Sequence, residues 1–255
     1  MGALFNILVA TLGISLIAFI GILTLFLKKK FLNKILLILV ALSAGALIGG
    51  AFLHLLPKSI QKTGNLLTLF LYLIGGFVLF FILEQFIRWH HCGGKSEEEE
   101  RKRGHQSGKK PFSYLILFSD TLHNFIDGLV IAASFLVGPA VGLVTTLAIA
   151  LHEIRQGIGD FGVLVYGVFG KRHALLFNFL TCLTAVIGGL VGFMLAGQIG
   201  NAIIYLLPFA AGNFIYIAAS DLIPEIKHED SPTDSLINFV VFLVGIGLML
   251  LVKIL

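Results

Sequence analysis

The first 27 residues carry no charged side chain, and Lys28, Lys29 and Lys30 then follow in succession. A helix needs roughly 20 apolar residues to cross the hydrocarbon of a bilayer, so this opening run is long enough for one crossing. Runs of similar kind recur. Eight in all lie at 3–27, 35–56, 66–87, 112–137, 140–166, 174–195, 202–223 and 236–252. The chain is 57% hydrophobic and only 13% charged, with its charges bunched between the runs. A soluble domain would spread charge over its surface, so the pattern excludes one and predicts an all-α membrane protein with eight transmembrane helices.

The first run is too long for a signal-peptide core and has no basic residue before it, so it reads as a retained helix with its amino end outside. In that orientation the cytoplasmic loops collect Lys28, Lys29, Lys30 and Lys34, then Arg88, Lys95, Arg101, Lys102, Arg103, Lys109 and Lys110, then Lys171 and Arg172, then Lys227. The opposite side receives only Lys58, Lys62 and Lys253. Basic residues favour the cytoplasmic side, which predicts that both termini are outside. The net charge of +4 is then a topology signal, and no nucleic-acid partner is expected. Cys92 in a loop and Cys182 in a span provide no disulfide framework.

Four segments follow: 1–89 with three helices, a loop at 90–111, 112–166 with the fourth and fifth helices, and 167–255 with the last three. The loop, which includes "HHCGGKSEEEERKRGHQSGKK", reads as a flexible cytoplasmic segment, and its His90, His91, Cys92 and His105 follow no fixed metal-ligand spacing. A shift of 167 positions lays "AGALIGGAFLHLLP" (residues 44–57) on "AGNFIYIAASDLIP" (211–224) without a gap, with His54 falling on Asp221. The second helix runs outward and the seventh inward, so helices 1–3 and 6–8 are predicted to be inverted copies. Helices 4 and 5 lie between them in a 3+2+3 arrangement. Inverted repeats mark transporters that bind substrate near mid-membrane.

Those two central helices carry the chemistry. In "SDTLHNFIDGLVIAASF", Asp120, His123, Asn124 and Asp127 fall within an arc of about 100° on one helical face. In "LHEIRQGIGDF", His152, Glu153, Gln156 and Asp160 do the same. His123 with Asp127, and His152 with Gln156, are i, i+4 pairs roughly 6 Å apart. Ionisable groups in hydrocarbon cost a few kcal/mol each, and acids gathered this way repel one another or must bind protons unless a cation lies between them. Mixed nitrogen and oxygen donors suit borderline divalent metals better than soft monovalent copper. Glu84, one turn before Arg88, reads instead as a local ion pair.

The motifs "AFLHLLP", "HNFIDG", "HEIRQGIGDF" and "DLIPE" together resemble the ZIP (Zrt/Irt-like protein) metal transporters, and the resemblance covers essentially the whole chain. It implies influx of zinc, or of iron, manganese, cadmium or cobalt, into the cytoplasm by alternating access. The ligand-bearing helices would move as a block against a scaffold that includes the second and seventh. It also implies a homodimer in the lipid bilayer; the short loops and compact chain point to a plasma membrane. By position, the implied ligands are His123, Asn124, Asp127, His152, Glu153 and Gln156, forming one or two adjoining metal positions. Asp120, Asp160, His54, Asp221 and Asn178 count as accessory or pathway positions.

Arg155 departs from the family, which usually has proline there, and Gly157 stands where the family frequently has glutamate. Arginine allows a straighter helix than proline. A guanidinium about 6 Å from a dication would repel it by about 5 kcal/mol at an effective dielectric of 20. The expectation is that Arg155 pairs with Asp127, Glu153 or Asp160 and modulates occupancy. Two alternatives stay open: a transport-impaired or metal-sensing homologue, and an intramembrane metallohydrolase. "HEIRQ" approaches the HExxH of zinc proteases, but Gln156 replaces the second histidine and no nucleophile or oxyanion set accompanies it, so no enzyme is expected.

Overall fold

The computed structural model describes residues 2–25, 29–92, 109–167, 169–199, 205–227 and 232–254. All regular structure among them is helical. Eight rods result. Rod 1 is α1 (Gly2–Ile17) continued by a 3₁₀ run, Ala18–Leu25. Rod 2 is α2 (Lys29–Gly49), a π-helical segment, Gly50–Leu55, and α3 (Leu56–Thr63). Rods 3, 4 and 5 are α4 (Leu66–Cys92), α5 (Lys109–Val137) and α6 (Pro139–Gly167). Rod 6 is α7 (Lys171–Cys182) and α8 (Thr184–Ile199). Rod 7 is α9 (Leu206–Tyr216), a π segment, Ile217–Leu222, and α10 (Ile223–Lys227). Rod 8 is α11 (Pro232–Ile254).

Seven rods are long and apolar enough to cross a membrane. Rod 5 is long enough at 29 residues but carries Glu153, Arg155 and Asp160 within it. The loop expected at 90–111 is shorter at both ends, because α4 reaches Cys92 and α5 begins at Lys109. Its charged pairs and His105 lie outside the described residues. Rod 2 runs past residue 56 because the backbone absorbs Pro57: Leu56 N–H bonds Ala51 O at the wider i to i−5 spacing. A proline lacks the N–H that an α-helix needs, and a π turn accommodates the mismatch. Gly64 then ends the rod in the left-handed conformation, φ 66°, and Asn65 Oδ1 caps the next helix by accepting from Thr68 N–H at 3.2 Å.

Water cannot drive helices together inside lipid, so close backbone packing matters more than apolar area. Three rod pairs use it. Gly45 on rod 2 meets Phe242 O on rod 8; Gly76 and Gly212 meet Phe209 O and Leu73 O between rods 3 and 7; Gly128 and Gly188 meet Ala185 O and Phe125 O between rods 4 and 6. A side chain at any of these glycines would run into the facing carbonyl. Rod 5 contacts rods 1, 2, 4 and 6, which buries its middle. Large apolar side chains such as Phe5, Leu67, Leu71 and Phe239 face outward.

Candidate metal centre

α5 and α6 pack along one another and bring their polar faces together. His123, Asp127 and Glu153 each offer a ligand atom, and these atoms lie within 4.8 Å of one another. His123 Nε2 is 3.5 Å from Asp127 Oδ2, and the His123 and His152 rings are 5.3 Å apart between centroids. Asn124, Asp127, His152 and Glu153 are all buried. His123 Nε2, Asn124 Oδ1, His152 Nδ1 and Glu153 Oε2 have no hydrogen-bond partner.

Leaving such a group buried and unpaired costs about 1–3 kcal/mol, and more when it is charged. Ser134, Thr145, Asn178, Asn213 and Asn238 also hold unpartnered buried atoms. Among the described residues, however, only His123, Asp127 and Glu153 form a cluster of metal-binding side chains. Imidazole nitrogen and carboxylate oxygens in one place fit a borderline divalent ion, which accepts a lone pair from each.

Asp120 sets the orientation of the amides around that place. Its Oδ1 accepts from Asn124 Nδ2 at 2.9 Å and from Gln156 Nε2 at 2.5 Å, and its Oδ2 accepts from Thr181 Oγ1. With its nitrogen held by Asp120, Asn124 leaves its oxygen as the unpartnered atom. A cavity of about 250 Å³ adjoins the cluster and is lined by Asp120, His123, His152, Gln156, Asp160 and Asp221 among others. Its lining comes from the second half of α4 (Phe80, Leu83, Glu84), the first half of α5, the middle and second half of α6, and the π segment of rod 7 (Ile217, Asp221), so it lies nearer the Cys92, Lys109, Gly167 and Lys227 ends of those rods.

Arg155 corrects the sequence reading. α6 runs unbroken through it, but Nη2 donates to Glu225 Oε2 on α10 rather than to Asp127, Glu153 or Asp160. The physical reason is solvation. The Arg155 and Glu225 side chains are 28% and 40% exposed, so the pair forms where a charge loses less hydration than it would beside the buried Asp127 and Glu153.

The accessory positions separate. Asp160 and Asp221 line the cavity. His54 Nε2 lies 2.7 Å from Met249 O, between rods 2 and 8, and does not line the cavity. Asn178 Nδ2 donates to Ala18 O and Gly157 O, both at 3.3 Å, and so ties rod 6 to rods 1 and 5. Glu84 accepts from Tyr216 Oη on rod 7, while the Arg88 side chain expected beside it lies outside the described residues.

Sequence reading missed Thr181, Cys182, Tyr216 and Glu225. Cys182 Sγ donates to Glu153 Oε1 at 3.1 Å. The signal available in the sixth run is Asn178, Thr181 and Cys182, whose i, i+3, i+4 spacing puts them on one helical face, with Ser15 matching Cys182 under the 167-residue shift.

A family model described as ZIP Zinc transporter matches residues 2–111 and 90–253. The chain belongs to the ZIP family. It is 30% identical to the rat protein named Zinc transporter SLC39A7 over 86% of its own length. It is 32% identical to the mouse protein named Zinc transporter ZIP13 over 84% of its length, and 30% identical to human Zinc transporter SLC39A7 over 86%. The chain spans 65% of the rat relative's length, 69% of the mouse relative's and 64% of the human relative's. ZIP membership and the seven apolar rods together make it an integral membrane protein.

Proposed function

We propose that this chain carries divalent metal ions, zinc foremost, through the donor set between rods 4 and 5 and into the cytoplasm. The observation that carries the reading is the cluster of His123, Asp127 and Glu153 beside a cavity, with buried atoms of His123, Glu153, Asn124 and His152 on the same two helices left unpartnered. The names of the relatives support zinc. His123, Asn124 and Asp127 act with His152 and Glu153 as ligands, and Gln156 lies at the edge of the set. The ion is cargo, so the donors must exchange it rather than retain it, and one water-accessible side at a time suffices. No catalytic role is assigned to them.

The cavity lies on the side where basic residues gather, which supports a cytoplasmic exit and a form open to the inside. By the same rule both termini lie on the outer side, and the short loops and compact chain favour the plasma membrane. Alternating access draws support from a repeat that extends beyond the matching letters. The two π segments, Gly50–Leu55 and Ile217–Leu222, stand 167 positions apart, as do Gly45 and Gly212, each packed against a facing carbonyl. Rod 1 leaves α geometry after Ile17, and rod 6 breaks near the corresponding position, at Leu183. These correspondences favour the inverted 3+2+3 plan, whose repeats rock around a central site.

Zinc uptake into proteoliposomes tests the proposal. The wild type accumulates zinc above empty vesicles, and His123→Ala and His152→Ala each return uptake to the empty-vesicle rate while remaining monodisperse. Competition by iron, manganese, cadmium and cobalt ranks the cargo, and an imposed pH gradient reports proton coupling. A folded wild type that moves none of these ions sinks the reading.

A further inference from the structure

Rod 6 breaks beside the metal centre. α7 ends at Cys182 and α8 begins at Thr184, and Val186 N–H bonds Leu183 O at the tighter i to i−3 spacing. Hydroxyl groups take the carbonyls at the break: Ser15 Oγ donates to Cys182 O at 2.8 Å, and Thr184 Oγ1 donates to Thr181 O at 2.5 Å. The break is therefore pinned from rod 1 and from within rod 6. Two adjacent side chains at this point reach the acids of the site. Thr181 Oγ1 donates to Asp120 Oδ2, and Cys182 Sγ donates to Glu153 Oε1 at 3.1 Å.

Glu153 is consequently held at one oxygen and unpartnered at the other, with the side chain 1% exposed. Cys182 is fully buried and is not among the residues whose ligand atoms cluster within 4.8 Å. Its sulfur stands behind the carboxylate. A glutamate has three side-chain torsions, and holding one oxygen fixes the direction of the other. A thiol is a weak, neutral donor. It can orient the carboxylate while drawing little of the negative charge that a dication needs, whereas a lysine in the same place would neutralise that charge.

We propose that Cys182 is a positioning residue for the cation site, contributed by a third rod: its thiol holds Glu153 Oε1 so that Oε2 faces the ion. The proposal rests on the transport reading only in taking Glu153 as a ligand. Outer partners of this kind typically contribute 10–100-fold to metal affinity. For the purified full chain in detergent, Cys182→Ala raises the zinc Kd about tenfold, at the low end of that range because the donor is weak. In proteoliposomes the same variant raises the uptake KM by a similar factor while the maximal rate holds. Cys182→Ser restores a donor and recovers most of the loss. The wild type loaded with cobalt(II) shows no sulfur-to-cobalt charge-transfer band.

Three results overturn the proposal. An unchanged Kd in folded Cys182→Ala removes the role. Cys182→Ser as weak as Cys182→Ala makes the effect one of packing. A charge-transfer band makes the sulfur a ligand. If the alanine variant fails to fold, Cys182→Val, which fills a similar volume without a donor, takes its place in both comparisons. Binding separates this inference from the transport reading: zinc affinity that depends on Cys182 without flux leaves the positioning role standing and removes transport. Flux that ignores Cys182 does the reverse.

Discussion

The seam between rods 3 and 7 and the seam between rods 4 and 5 solve opposite problems. In the first, Gly76 and Gly212 let each backbone approach the facing carbonyls of Phe209 and Leu73, and no further atom fits. In the second, side chains meet across a cavity, and several of their polar atoms remain without partners. Inside lipid, close packing holds helices together more than apolar burial does. The glycine seams thus supply the rigidity that lets the polar seam stay unsatisfied, as the proposed ion site requires. The two meet at residues 127 and 128. Asp127 belongs to the candidate metal cluster, and the next residue, Gly128, packs against Ala185 O on rod 6.

The largest effect expected from breaking this contrast comes from the tight seam. Gly76→Ala forces a methyl group into Phe209 O, a backbone atom that cannot rotate away, whereas Gly75→Ala meets nothing within 4 Å. Overpacking costs about 1–3 kcal/mol even where side chains can adjust. Thermal unfolding in detergent should therefore show Gly76→Ala strongly destabilised or unable to fold. Gly75→Ala should match the wild type or exceed it, since alanine favours a helix by up to about 1 kcal/mol. Equal melting of the two variants removes the distinction between the seams.

A smaller, more selective effect belongs to the polar seam. Asp120 accepts from Asn124, Gln156 and Thr181, so Asp120→Asn turns one acceptor oxygen into a donor that at least one of these three must face. The Asn124 amide keeps its bond to the Asp120 backbone carbonyl at 3.0 Å and loses at most the carboxylate half of the hold that leaves its oxygen free. Zinc uptake should show KM raised about tenfold, as for loss of other outer partners, with melting changed far less than in Gly76→Ala. A large fall in melting temperature with unaltered KM would make Asp120 a structural tie instead.

The eight runs and the two polar stripes were legible in the sequence because each is a local pattern: length for the runs, a period near 3.6 for the stripes. His123, Asp127 and Glu153 meet as those stripes imply they can. What escaped is what depends on a third element. Thr181 and Cys182 face the site because rod 6 packs against rods 4 and 5, and a pattern along one helix does not say which helices will be its neighbours, nor forecast a break held by Ser15, 167 residues away. Arg155 escaped differently. Helical angles limited the search to acids on its own and the neighbouring rod, while its side chain is long enough to reach Glu225 on α10.

The smallest expected effect concerns that arginine, and its size decides between two accounts of this chain. An isolated guanidinium about 6 Å from a dication would oppose binding by about 5 kcal/mol at an effective dielectric of 20, enough to empty the site. Paired with Glu225, the group acts as a dipole with little net field, and both partners are partly exposed. Exposed pairs are worth about 0.2–1 kcal/mol, which corresponds to a factor of roughly 1.4 to 5 in an equilibrium constant. Arg155→Gln should therefore shift zinc KM less than about fivefold and leave melting unchanged. Glu225→Gln should weaken uptake more than Arg155→Gln alters it, because it frees the guanidinium to act on the cavity. In the double variant the weakening should disappear, since no free cation remains. If Arg155→Gln alone raises uptake by a factor far above this range, the pair does not neutralise the arginine in the working protein, and the transport-impaired account becomes the better one.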